Sequence, residues 1–302
     1  MKTAVIKMIA NLVLKDVHAL NSLEGEAFRE GLRKYKQKHK RTSAPPAKIR
    51  KAMDIRACKV GGGIFYRAKD KNVRSSKKVL FIHGGGFIAE AMYIHWSFCR
   101  SLAADTGCEI FFPQYPLVPE SNAEKANDML MRVYERLLKE CAPEDLTVMG
   151  DSAGGTLALS LSMLARDKGL PLPKNIILIS PGFSIGEMTE AEKKRAAYLE
   201  KQDFILSGFP IEKVKVLWRG DLAEDDYRAN VSGSSVEGLP PITMFSGTHD
   251  TLNIPARRYA EKLKKAAHPH IYIEKKGGIH DYALSPKNKR EYDIMISKIM
   301  GR

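Results

Sequence analysis

Short apolar runs, each four or five residues long, recur from residue 79 onward: Val79–Ile82, Glu109–Phe112, Leu146–Met149, Asn175–Ile179, Ile242–Ser246 and His270–Ile273. Runs this short suit strands buried on both faces and are too brief for buried helices. Helical patterns lie between or after them, over Ala123–Lys139, Thr156–Arg166, Ile254–Ala266 and Tyr292–Met300. The first of these sets Ala126, Leu130, Val133 and Leu137 on one face. Strands alternating with helices predict an α/β chain with a mostly parallel central sheet covered by helices on both faces.

The ends of the chain depart from that rhythm. Ile55–Val60 and Ile64–Arg67 flank Gly61-Gly62-Gly63, which reads as an antiparallel pair joined at a turn. Two helical patterns fill the first 41 residues, and Arg41-Thr-Ser-Ala-Pro-Pro46 breaks them with a loop. In the first pattern, Val5, Ile6, Met8, Ile9, Leu12, Val13 and Val17 recur at helical spacing, with Lys7 interrupting the apolar stretch. That is an amphipathic helix rather than an export signal. Gly186–Arg219 also breaks the alternation: it is charged, helical in pattern, carries Trp218 near its end, and suits part of a lid.

Composition narrows the class. Hydrophobic residues at 44% and charged residues at 28% exclude wholesale disorder. Lys+Arg 49 against Asp+Glu 35 leaves a net charge of +14, which raises the question of a nucleic-acid partner. The basic residues are spread along the chain, and the densest run, Arg33 to Arg41, carries no nucleic-acid motif; a solvated helix face accounts for it. Cys58, Cys99, Cys108 and Cys141 are widely spaced, without a CxxC pair, so neither a zinc site nor a disulfide framework is expected, and reduced thiols point to the cytoplasm. No run of about 20 apolar residues is present, so no integral membrane segment is expected.

Chemistry concentrates at a few strand ends. Gly150-Asp151-Ser152-Ala153-Gly154 follows one apolar run and precedes a helix. A glycine-rich helix cap would satisfy the bare G-x-S-x-G pattern, but strand–turn–helix is the setting of a nucleophile elbow. There Ser152 sits at a helix N-terminus, where partial positive charge favours a developing anion. His83-Gly84-Gly85-Gly86-Phe87 leaves the Val79–Ile82 run directly, and its glycines expose backbone N–H groups suited to an oxyanion. Asp250 ends Ser246-Gly-Thr-His-Asp250, and His280 ends Gly277-Gly-Ile-His280, each after an apolar run. The order Ser152, Asp250, His280 is that of hydrolytic triads on open α/β sheets. His249 is a rival base beside Asp250. His268 and His270 read as surface residues, and Asp281, next to His280, is expected to point away from it.

Together these motifs resemble the hormone-sensitive-lipase-like branch of the α/β-hydrolases, over about residues 76 to 285. The resemblance is carried by His83–Gly86, Gly150–Gly155, Asp250 and His280, and by Tyr115-Pro-Leu-Val-Pro119-Glu120 and Leu239-Pro-Pro241. Gln114 and Pro116 depart from the family's usual Asp and Arg. The resemblance implies an α/β-hydrolase fold with a helical cap. Residues 1–45 would contribute N-terminal helices to the cap, 186–220 the cap insertion, and 46–185 with 221–302 the core. It implies a serine carboxylesterase acting on short acyl, acetyl-like esters of small molecules, without a cofactor or metal, as a monomer or homodimer. The oxyanion donors would be the N–H groups of Gly85, Gly86 and Ala153, with Gly84 able to replace Gly86. Phe87, Ser184 and Trp218 are candidate pocket walls, with a place in the core as the favoured alternative for each. Activity would rise through about pH 6 to 7 as His280 loses its proton. An amide-directed hydrolase, such as an arylformamidase or small peptidase, would use the same triad. A catalytically silent binding module on the same fold would be expected to have a broken one.

Overall fold

The computed structural model describes residues 16–17, 19–38 and 44–302. The expected helix from Val5 to Val17 therefore lies outside the described residues except at its end. So does the first half of the Arg41–Pro46 loop.

Among the described residues, eight strands form one sheet: β1 (Met53–Val60), β2 (Gly63–Asp70), β3 (Lys78–Ile82), β4 (Glu109–Gln114), β5 (Leu146–Asp151), β6 (Asn175–Ile179), β7 (Ile242–Gly247) and β8 (His270–Lys275). The spatial order is β1-β2-β4-β3-β5-β6-β7-β8. β1 and β2 form the predicted antiparallel pair around Gly61 and Gly62, and β2 is antiparallel to β4; every pair from β4 to β8 is parallel.

Period-two alternation feeds two cores. Leu80, Ile82, Val148, Ile176 and Leu178 point to one face, under α4 (Ala123–Leu138) and α5 (Ala153–Asp167). Val79, Phe81, Met149, Ile177 and Ile179 point to the other, under α3 (Tyr93–Thr106) and α9 (Lys289–Met300). All are fully buried, so the runs of β3, β5 and β6 are the double-sided strands their length implies, whereas the β8 run lies at the sheet edge with Ile271 exposed. Helix α4 begins where the Asn122 side chain accepts the Lys125 N–H at 3.2 Å, and it buries the predicted stripe Ala126, Leu130, Val133 and Leu137.

Two helices were not anticipated. One is the short α2 (Ala47–Ala52); the other is α3, although His95, Cys99, Leu102 and Thr106 recur at helical spacing and all turn inward. The predicted helical stretch over 186–219 is two helices, α6 (Glu190–Gln202) and α7 (Ile211–Arg219), and α8 (Asn253–Lys265) follows β7. Helix α7 meets the N-terminal α1 (Gly25–Lys38) at Lys213, whose ammonium lies 5.9 Å over the Phe28 ring, and Val214, Trp218, Phe28 and Leu32 belong to the same buried core. Lys213 Nζ donates to the carbonyls of Asn21 (2.7 Å) and Leu23 (2.6 Å) and pairs with Glu24 at 2.6 Å. Among the described residues, no helix is long and apolar enough to cross a membrane.

Candidate active site

The turn from β5 into α5 puts Ser152 at φ +50°, ψ −122°, a conformation sparsely populated for a residue with a side chain. Bonds on both sides hold it there. The Ser152 N–H donates to Ile179 O at 2.8 Å, and Ser152 O accepts from Gly155 and Gly182, each at 3.0 Å. The flanking glycines are steric necessities: a Cβ on Gly150 would lie 2.3 Å from Gly154 O, and one on Gly154 would lie 2.0 Å from Ile82 O.

A second close approach brings the base to the serine. A Cβ on Gly247, at the end of β7, would lie 2.1 Å from Gly278 O, so the loops after β7 and β8 touch through bare backbone. His249 N–H donates to Gly278 O at 2.8 Å, and Gly277 N–H donates to Thr248 Oγ1 at 2.8 Å. His280 Nδ1 consequently stands 3.0 Å from Asp250 Oδ2, and its Nε2 stands 3.0 Å from Ser152 Oγ. Asp250 is fully buried, and its Oδ1 accepts the Leu252 N–H at 2.9 Å. Sequence-distant Ser152, Asp250 and His280 are thus one connected chain of hydrogen bonds.

The loop after β3 arches over Ser152 on a buried polar support. Asp151 Oδ2 accepts the Gly84 N–H at 3.0 Å and faces His95 Nε2 at 3.1 Å. His95 Nδ1 accepts the Met92 N–H, which leaves Nε2 as the donor to Asp151. His83 Nδ1 meets Gly84 O at 2.7 Å, its ring stacks on Tyr115 at 4.6 Å, and Tyr115 Oη donates to His83 O at 2.9 Å. Burial, with His95 nearby, pushes the His83 imidazole down to about 4, so it is a neutral spacer rather than a base. The Tyr115 prop stands although Gln114 and Pro116 depart from the family pattern. Gly84 is not a free donor, because its N–H is spent on Asp151. Among the described residues, no protein acceptor takes the N–H of Gly85, Gly86 or Ala153.

Ser152, His280, Gly85 and Gly86 line a cavity of about 450 Å³. Ile205, Leu206 and Phe209, between α6 and α7, supply apolar wall, and Arg33, Tyr35, Lys36 and Gln37 of α1 also line the cavity. Sequence reasoning missed these wall residues, although Phe204-Ile-Leu-Ser-Gly-Phe209 is an apolar island in a charged insertion. The candidate wall residues lie elsewhere. Phe87 stacks on Trp218 at 4.0 Å, and both are buried in the core because two large rings gain more from each other than from a wet cavity. Ser184 donates its N–H to Ser232 Oγ at 3.0 Å, away from the cavity.

The expectations for His268 and Asp281 change, whereas His249 stays apart from the relay as expected. His249 faces Tyr198 Oη at 3.5 Å, outside the cavity. His268 is buried rather than superficial, with Nε2 3.1 Å from Pro240 O. Asp281 does not point away from His280. A left-handed backbone (φ +56°) and an N–H bond to Ser180 Oγ (3.1 Å) turn its carboxylate back, and Oδ2 lies 3.2 Å from His280 Nε2. Burial alone would lower the His280 pKa. The carboxylates of Asp281 and Asp250 outweigh burial and lift it to about 10. Burial in turn pushes the Asp281 carboxyl well above its usual range, with His280 pulling the other way. Among the described residues, no group of three His, Cys, Asp or Glu side chains could hold a metal ion.

A family model described as alpha/beta hydrolase fold matches residues 79–284, from β3 through the loop carrying His280. The chain belongs to the α/β-hydrolase family. Within that family it is similar to an esterase of Acinetobacter venetianus, 28% identical over 64% of this chain and 63% of that protein. It is likewise similar to the hormone-sensitive lipase of Mus musculus, 28% identical over 55% of this chain and 22% of the lipase. This α/β-hydrolase therefore matches less than two thirds of the first relative and about a fifth of the second. A solved esterase of the bacterial hormone-sensitive lipase family superposes with a TM-score of 0.75 at 20% identity, covering 97% of each chain.

Proposed function

We propose that this α/β-hydrolase is a serine carboxylesterase for short-chain acyl esters, with Ser152 as nucleophile, His280 as base and Asp250 as its orienting carboxylate. The observation that carries the reading is the continuous relay Ser152 Oγ–His280 Nε2–His280 Nδ1–Asp250 Oδ2, with both polar contacts at 3.0 Å, opening on a cavity. Ser152 attacks the ester carbonyl as His280 Nε2 takes its proton. Asp250, bonded at Nδ1, fixes the ring and stabilises the imidazolium. The uncommitted N–H groups of Gly85, Gly86 and Ala153 receive the oxyanion, assisted by the N-terminus of α5. His280 then protonates the leaving alcohol, and water releases the acyl group with His280 again as base.

The described residues of the 1–45 segment act with 186–220 as a cap over the core formed by 46–185 and 221–302. The meeting of α7 with α1 at Lys213 and the wall supplied by Ile205, Leu206 and Phe209 support that division. A cavity closed by such a cap confines the substrate and limits acyl length.

The test is hydrolysis of p-nitrophenyl esters from acetyl to dodecanoyl by wild type and Ser152→Ala. Short-chain turnover that falls about 10⁴-fold or more in the variant is expected. Equal rates in the two proteins, or turnover of anilides without esters, would overturn the reading.

A further inference from the structure

The mechanism above leaves the carboxylate nearest the relay without a task. Asp281 lines the cavity beside Ser152 and His280. Its Oδ2 is 3.2 Å from His280 Nε2, and its Oδ1 is buried with no hydrogen-bond partner among the described residues. The side chain is 20% exposed, and a carboxylate bordering the cavity loses solvent when a substrate binds, which costs free energy unless the substrate brings a donor.

The position of this carboxylate fixes which part of a substrate it meets. His280 Nε2 must come within hydrogen-bond distance of the leaving oxygen to protonate it. A group 3.2 Å from that same nitrogen therefore borders the alcohol half of the ester, not the carbonyl oxygen, which is held by the Gly85–Gly86 loop. The other charges on the cavity wall do not offset it. Arg33 pairs with Glu26 and Glu30, Lys36 pairs with Glu120, and Glu90 adds a second carboxylate.

Building on the esterase reading above, we propose that Asp281 is a specificity-determining residue that selects esters whose alcohol carries a hydrogen-bond donor, a hydroxyl or an ammonium, within two carbons of the ester oxygen. Such a donor reaches the Asp281 carboxylate while the ester oxygen faces His280. An alkyl alcohol of the same size leaves the carboxylate desolvated and unpaired. Discrimination of this kind is large where a site is built to pair with a polar group.

The experiment compares kcat/KM for three butanoate esters: propyl, 2-hydroxyethyl and 2-(dimethylammonio)ethyl. Wild type, Asp281→Ala and Asp281→Asn are assayed side by side, with circular dichroism to check folding. Wild type is expected to favour at least one donor-bearing ester over propyl by tenfold or more, and the better of the two identifies hydroxyl or ammonium as the natural donor. Asp281→Ala is expected to bring both ratios near one. Gly adopts the left-handed backbone freely, so Asp281→Gly, with the same expectation, replaces the Ala variant if that one does not fold, and the third protein, Asp281→Asn, separates the two donors. It retains an acceptor for a hydroxyl but loses the charge, so any ammonium preference should fall at least tenfold. A wild-type ratio near one, a preference unchanged in Asp281→Ala, or an ammonium preference unchanged in Asp281→Asn overturns the assignment while leaving the esterase reading intact. If wild type hydrolyses none of the three and matches Ser152→Ala on p-nitrophenyl esters, the esterase reading itself fails.

Discussion

Asp203 Oδ2 accepts both the N–H and the hydroxyl of Thr251, at 2.8 and 2.9 Å, so a residue of the 186–220 insertion is bonded to the neighbour of Asp250. Its other oxygen, Oδ1, accepts the N–H groups of Ile205 (3.0 Å) and Leu206 (2.9 Å), both on the cavity wall. One buried carboxylate therefore ties the wall of the cavity to the loop that carries Asp250.

Asp203→Ala removes four hydrogen bonds and leaves three backbone N–H groups without their acceptor. At about 1–3 kcal/mol for each group left buried and unsatisfied, a drop in Tm of several degrees is expected. Ile205 and Leu206 lose their anchor, so KM should rise more than kcat falls. Thermal unfolding with steady-state kinetics checks both, and an unchanged Tm would show that water replaces Asp203 at no cost.

The pH profile follows from the carboxylates around His280. The base must be unprotonated to accept the Ser152 proton, and Asp281, Asp250 and Asp203 all favour its protonated form. A raised pKa moves the acid limb of kcat/KM upward, so activity should rise on the alkaline side of 6.5, not through pH 6 to 7 as the sequence alone predicts. Asp281→Asn removes the carboxylate facing Nε2 and should return the limb toward neutrality. Profiles of wild type and variant on one p-nitrophenyl ester test this, and superimposable limbs would deny Asp281 any electrostatic hold on His280.

The sheet was legible in the sequence because the apolar runs of β3 to β7 are buried on both faces, a constraint strong enough to appear in composition alone. The relay was legible for a related reason: Ser152, Asp250 and His280 each follow such a run, where an open parallel sheet gathers side chains. Pocket walls follow no such rule. Phe87 and Trp218 have the size of wall residues, but their mutual stacking is a tertiary event that local pattern does not encode. The inward turn of Asp281 depends on a left-handed backbone and a hydroxyl 101 positions away in sequence, Ser180, and neither can be read from its own neighbours.

The glycine run after β3 yields the sharpest steric prediction. A Cβ on Gly84 would lie 2.3 Å from Asp151 Oδ2 and 2.9 Å from both Asp151 O and Ser152 Cβ. None of these atoms yields easily. Asp151 is fully buried and shared with His95, and Ser152 is fixed by backbone bonds on both sides. In Gly84→Ala the loop must therefore rise away from Ser152, carrying the N–H groups of Gly85 and Gly86 with it. Losing one oxyanion donor typically costs about 10²–10³-fold in rate. Gly84→Ala should lower kcat by about that factor, with a smaller change in KM because the cavity wall at Ile205 and Leu206 is held by Asp203 and not by this loop. Labelling of Ser152 by an organophosphonate, whose phosphoryl oxygen occupies the oxyanion position, should slow in parallel. A kcat near wild type would place the oxyanion donors outside this loop.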